Sequence, residues 1–352
     1  RDSSDPRVLL ARLPELALGG FRVEWRVISA DGHPVVGDFV FFVRGDEVAR
    51  PISPPPPPSP GRGGVVGETG LDVGFAGGPS RVGVPIVVIG AGKDVALLLL
   101  AGMLLFVAWW LPAHTRATER AVRSMAAAGP TLALAYAWLW VGNALGNGAG
   151  LEARVEGLLS LASGRALAAE TGFAWLSAWA LFVAWRPRVA SVFALLAVAA
   201  GAVGGHPASH MPSVAGPSNA LHLLAVAAWT GGLFCLVTEQ GSQRFGETAH
   251  RVSDVALVAA MTVAVTGVLQ SWLFLGSLDR LIGSTYGILI CAKAFGLAGL
   301  VLFGAYHRYR LVPDHDSTGG AATLARSVRN ELVLAGAVVV TAAILSHVPP
   351  TS

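Results

Sequence analysis

Residues 95–111 and 220–237 run without a single Asp, Glu, Lys or Arg. Each is close to the ~20 apolar residues that a helix needs to cross the hydrocarbon core of a bilayer. Runs of this length decide the fold class before any motif is considered. Inside lipid a chain must satisfy its own backbone hydrogen bonds, so the uninterrupted runs predict transmembrane helices. Composition agrees: 13% of residues are charged and mean hydropathy is +0.59, against about 25% charged in ordinary soluble domains.

The net charge of +3 and pI of about 9.2 do not point to nucleic acid, because the basic residues are spread over short loops and form no patch. Cys235 and Cys291 both fall in predicted spans, which argues against a disulfide framework and a thiolate zinc site. The chain starts at Arg1 with no initiator Met or signal peptide, and is expected to be mature, processed or truncated.

Three regions are predicted. Residues 1–47 read as a small β module: Phe21, Val23, Trp25 and Val27 alternate with Arg22, Glu24 and Arg26, the period of a half-buried strand. A turn at 29–34 and a second Val/Phe-rich run at 37–43 complete a hairpin. Residues 48–88 are a Pro/Gly-rich linker containing an extended polyproline stretch. Residues 89–352 form an all-α polytopic bundle of about eight spans, near 92–111, 127–146, 166–185, 189–205, 218–238, 252–275, 286–306 and 328–347.

Arginine distribution orients these spans. Loops after odd-numbered spans hold eleven arginines, among them Arg116, Arg188, Arg251 and Arg308; loops after even-numbered spans hold Arg154, Arg165 and Arg280. The positive-inside rule makes the odd-span loops cytoplasmic and both termini extracytoplasmic.

With that orientation His206, His210, His222 and His347 lie at outer span ends or in the outer loop, with Met211 beside His210. The loop from 205 to 212 has no Lys or Arg, and imidazole and thioether without fixed positive charge suit a cation. His222, with Asn219 and Trp229 on one helix face, sits at a depth where an ionisable group faces protein or a cavity. The bland alternative for an interfacial His is snorkelling or capping. Lys293 and Glu170 are intramembrane charges expected to pair if the third and seventh spans touch. Glu331 is expected in the first turn of the eighth span, complementing the helix dipole. Asp31 and His33 flank Gly32 in a turn and together could reach one Cu(II) or Zn(II) ion; Asp-Gly is also ordinary turn sequence. His307 is assigned no role.

The run Trp25-Arg-Val-Ile-Ser-Ala-Asp-Gly-His-Pro-Val-Val-Gly-Asp-Phe39 resembles the closing hairpin of the copper-resistance C (CopC) domain. The Gly205-His206 loop, Leu221-His-Leu-Leu-Ala-Val-Ala-Ala-Trp-Thr-Gly-Gly-Leu233, Ser284-Thr-Tyr-Gly287, Lys293, Arg308, Pro313 and Arg326-Ser-Val-Arg-Asn-Glu331 resemble the copper-resistance D (CopD) family. The resemblance implies copper homeostasis at the bacterial cytoplasmic membrane, with Asp31 and His33 as Cu(II) ligands. The His that completes that site at the CopC N-terminus has no counterpart in this chain.

The expected function is copper capture outside and import through a site built from His206 and His222 with His210 and Met211. Cu(II) would bind the outer module, and Cu(I) or Cu(II) the membrane domain, with Met211 and Cys291 as soft ligands for Cu(I). Expected partners are the copper ion, the lipid bilayer and extracytoplasmic copper carriers. Nothing resembles an ATP-binding motif, and no enzyme activity is expected. The alternatives are a haem-binding membrane redox protein and a copper sensor or scaffold that binds without transport.

Overall fold

The computed structural model of this chain describes residues 13–28, 34–43, 84–111, 113–145, 150–204, 212–275, 285–313 and 319–345. The N-terminal unit and the helical unit are separate bodies. In the first, the alternating segment forms β1 (Gly19–Ile28) and the Val/Phe-rich run forms β2 (Pro34–Val43), paired in a two-stranded sheet. Cross-strand contacts hold it: Phe21 stacks on Phe41 with ring centroids 5.6 Å apart, and Arg22 pairs with Asp38 at 2.8 Å. Such cross-strand pairs are the unit of sheet stabilisation.

The helical unit contains α1 (Val84–Trp109), α2 (Arg116–Leu145), α3 (Leu151–Ser160), α4 (Ala162–Phe182), α5 (Pro187–Ala202), α6 (Pro212–Thr238), α7 (Phe245–Leu275), α8 (Thr285–Tyr306) and α9 (Gly320–Leu345). A π-helical turn, His307–Leu311, continues α8. Every predicted span coincides with a helix. Six are long and apolar enough to cross a membrane: α1, α2, α6, α7, α8 with its π turn, and α9. α5, with 16 residues, is shorter, and α4 carries Arg165 and Glu170, so the expected eight spans become six by length and composition among the described residues. The short helix α3 was not expected. It is anchored by Arg154, whose guanidinium lies 4.2 Å from the Trp138 ring centroid.

Large apolar side chains such as Trp272, Phe295, Val268 and Val333 point outward, as lipid-facing residues do and core residues of a soluble protein do not. Inside, α6 is central and packs on α7, α1, α5 and α9. Small residues govern its closest crossing. A Cβ on Gly102 of α1 would overlap the carbonyl oxygen of Ala227, and one on Gly231 would overlap the backbone of Gly102. Adjacent Gly232 leaves room for Phe106, whose ring would lie 2.7 Å from an added Cβ. This is small-residue packing, by which membrane helices approach closely without a hydrophobic drive between them.

The arginine-bearing loops gather at one end of the bundle. Arg188 Nε donates to Ala108 O (3.4 Å), Arg251 Nη1 to Trp110 O (3.2 Å), and Arg123 covers the Trp185 ring at 4.6 Å. At the same end, buried Glu239 after α6 accepts hydrogen bonds from Thr115 N (2.8 Å) and Thr115 Oγ1 (3.1 Å), and from the Thr118 hydroxyl. Thr115 also caps α2 by accepting from Thr118 N at 3.2 Å, so one carboxylate satisfies donors at a helix start that would otherwise be orphaned. Glu239→Ala strands these donors and is expected to cost about 1–3 kcal/mol, read as a lower unfolding free energy in mixed micelles.

Two expectations about charges change. Glu331 does not open its helix: α9 begins at Gly320, and Glu331 is fully buried well inside it. Glu170 pairs with Lys93 rather than with Lys293: Lys93 Nζ donates to Glu170 Oε1 at 2.7 Å. The reason is packing, since α4 lies on α5, α2 and α3, whereas α8 lies on α9 and α7.

Candidate functional site

Among the described residues the predicted metal ligands are His222 and the soft donor Cys291. Asp31, His33, His206, His210 and Met211 lie outside the described residues. Because α6 begins at Pro212, His222 is nearly three turns into the helix and is only partly exposed. Its Nδ1 is 2.8 Å from Thr266 Oγ1 on α7. The Thr266 hydroxyl itself donates to Thr262 O at 2.6 Å. With its proton committed there, Thr266 accepts from Nδ1–H, which leaves the Nε2 lone pair without a hydrogen-bond partner among the described residues. Gly267 keeps space beside the ring, where an added Cβ would lie 3.8 Å from Cε1.

Two further polar groups belong to this neighbourhood by register. Ser218 precedes His222 by one helical turn, and Gln270 follows Thr266 by one turn on the neighbouring helix. Ser218 Oγ and Gln270 Nε2 are both buried without a partner among the described residues. Buried polar atoms are ordinarily satisfied, so unpaired ones mark a place where an ion, water or another segment completes the bonding. Both lie towards the end of the bundle from which the 205–211 segment enters α6. Lys293 is the charged residue that interacts with the His222 ring. Asn219 ties this end to α5, its Nδ2 donating to Ala202 O at 2.7 Å.

At the same end, Lys93 bridges Glu170 and the half-exposed Asp94 Oδ1 at 2.8 Å, and lies 5.3 Å from the Tyr136 ring centroid. Gly201 of α5 admits the Glu170 carboxylate, which an added Cβ would meet at 2.7 Å. The single ammonium bridges the two carboxylates and fixes the packing of α1, α4 and α5.

Towards the arginine end a second polar system occupies the bundle. Trp229 Nε1 donates to Glu331 Oε1 at 3.0 Å. His307 Nδ1 is 2.9 Å from Glu331 Oε2, and His307 Nε2 is 2.7 Å from Ser327 Oγ. His307 was assigned no role from the sequence; the structure buries it in the π turn, and such turns recur at functional sites. The helical i, i+4 spacing of Ser327 and Glu331 was the available signal.

No group of three His, Cys, Asp or Glu side chains converges among the described residues. Cys235 and Cys291 are free thiols; Cys235 is buried against Met103 O, and Cys291 is partly exposed on α8.

These features define a polytopic α-helical membrane protein with ionisable groups held inside its bundle and a small β module at its N-terminus. Residues 1–44 match the CopC domain and residues 246–345 match Copper resistance protein D, so the chain is similar to each over that stretch. It is 25% identical, over 366 residues, to the copper transport protein CutJ of Bacillus subtilis (strain 168), an alignment that covers 94% of this chain and 60% of that protein. No solved structure matches.

Proposed function

We propose that this chain captures copper on the outer face of a bacterial cytoplasmic membrane and passes it inward through the helical bundle. The observation that carries the reading is the pairing of a CopC match at the N-terminus with a CopD match over α7–α9, joined to a buried imidazole with one nitrogen held and the other available. The arginine-rich end is cytoplasmic by the positive-inside rule, which puts the CopC segment outside.

Copper is cargo here. Asp31 and His33 take Cu(II) at the outer module, nitrogen and oxygen donors suiting that ion. The membrane site uses His222 Nε2 with His206, His210 and Met211 from the adjoining segment. Ser218 and Gln270 offer polar contacts at its mouth. Lys293 sets the charge around the ring, and Met211 and Cys291 are the soft donors available to Cu(I). Transport runs on ion gradients or on trapping inside. Copper carriers outside the membrane are the expected donors.

Metal content and X-ray absorption of the purified full chain test the binding half. Loss of one copper in His33→Ala and of another in His222→Ala, with nitrogen/oxygen scattering from the first, supports the reading. Unchanged stoichiometry in both overturns it. Thr266→Val keeps the ring but removes the group that orients it. It is expected to weaken copper binding at His222 by about 10–100-fold, measured by competition with a calibrated chelator.

A further inference from the structure

Nothing in copper capture at the outer end uses the polar system at the other. We infer that Ser327, His307 and Glu331 form a proton relay from the arginine-rich mouth to the bundle centre, with Trp229 positioning its innermost acid.

The groups stand within proton-transfer distance of one another, the Ser327–His307 link as a formed hydrogen bond and the His307–Glu331 link as a close, unaligned approach. Ser327 Oγ, His307 Nε2, His307 Nδ1 and Glu331 Oε2 follow one another at 2.7 and 2.9 Å across a single imidazole. Imidazole accepts a proton at one nitrogen while giving one up from the other. Ser327 is only half-buried, whereas Glu331 is wholly enclosed, so the series runs from an accessible end to an inaccessible one. A cleft of about 180 Å³ lined by His250, Ser253, Asp254, Arg308, Tyr309 and Val312 opens beside the same π turn. Glu331 Oε2 has no aligned hydrogen bond among the described residues despite its close imidazole neighbour. Its partner oxygen, by contrast, is held by Trp229 Nε1. One oxygen is therefore fixed and the other is left to take or release a proton.

The charged surroundings leave this acid to His307. From α6 it meets Trp229, and from its own helix Ser327 lies one turn away. The ring neighbours of His307 on α8 are Phe303 and Tyr306. Arg308, next in the chain, is engaged by Ser253 and Asp254 of α7. On α1, which also packs against α9, the charged residues are Lys93 and Asp94, and they pair with each other and with Glu170.

The transfer balances. In the inward step a hydronium protonates Ser327 Oγ as the hydroxyl proton passes to His307 Nε2. The Nδ1–H bond breaks and an O–H bond forms at Glu331 Oε2. The imidazole ends neutral in its other tautomer. The reverse step discharges Glu331 through His307 to water at the half-buried Ser327. A cation reaching the level of Trp229, two turns along α6 from His222, favours the charged carboxylate and drives that discharge, coupling inward passage of metal to proton release. Only this trigger rests on the copper reading above; the relay stands on its own geometry.

Infrared difference spectroscopy of the full chain in lipid, stepped in pH without copper, tests it. A titrating band of a buried protonated carboxyl is expected, sensitive to deuterium and absent in Glu331→Gln. Ser327→Ala, at the half-buried end, leaves the fold intact and is expected to slow deuterium arrival at that band by about 100-fold, and Trp229→Phe shifts its frequency. A purely structural carboxylate would give no such band, and persistence of the band in Glu331→Gln or an unchanged exchange rate in Ser327→Ala overturns the relay. Copper uptake without the band overturns the relay alone; the band without copper uptake overturns the copper reading alone.

Discussion

Lys93→Met is expected to lower the unfolding free energy by about 3–5 kcal/mol, the usual cost of removing one partner from a buried ion pair. The ammonium is buried with Glu170 at 2.7 Å, and the remaining carboxylate would face Gly201 and the Tyr136 ring without its counter-charge. The second substitution separates charge from packing. Lys93→Met/Glu170→Met removes both ions, and replacing a buried pair by apolar groups is often neutral or better. The double variant is therefore expected within about 1 kcal/mol of the parent. Denaturant titration in mixed micelles reads both. A double variant as unstable as Lys93→Met would mean that the cluster is held by something other than its charges.

Gly231→Val carries the other large effect. The α1–α6 crossing has no room for a Cβ at Gly231 or Gly102, because the obstructing atoms are backbone. Backbone cannot swing aside as a side chain can. The helices must separate, which costs the ordinary overpacking penalty of about 1–3 kcal/mol and more where main chain collides. Loss of folded protein is the expected outcome for Gly231→Val and Gly102→Val. Gly304→Ala on α8 is the control: an added Cβ meets nothing within 4 Å there, and alanine favours a helix by up to about 1 kcal/mol over glycine. Folded yield after purification, with circular dichroism, distinguishes them.

These two cases show what was legible in the sequence and what was not. Helix positions were legible because charge-free runs admit one solution in lipid, and β1 and β2 because alternation at Phe21–Val27 admits one period. That Glu170, His222 and Lys293 sit within apolar helices was legible too. Direction around the helix axis was not. Lys293 and Lys93 are equally eligible partners for Glu170 by depth, and only the packing of α4 on α5 and α2 selects Lys93. Lys93 lay within the predicted first span but was not singled out as an intramembrane charge, and α1 starts further upstream, at Val84. Glu331 was placed at a helix start by hydropathy alone, since Arg326 and Arg329 depress the average over residues that are nonetheless helical. The Gly231-Gly232 pair was visible as a motif, but its reason lies in Gly102 on another helix, more than a hundred residues away. Of the histidines proposed to bind copper, His222 is the one the structure describes, and it gains a partner, Thr266, that no spacing rule would have named.

The central claim is that copper passes through the membrane by way of His222. Copper uptake into proteoliposomes carrying the full chain, compared with His222→Ala at equal folded content, tests it most directly. The expected results are uptake by the parent protein, loss of most of that uptake in His222→Ala, and one copper fewer bound per chain. Uptake and copper stoichiometry that are the same in the two proteins would contradict it.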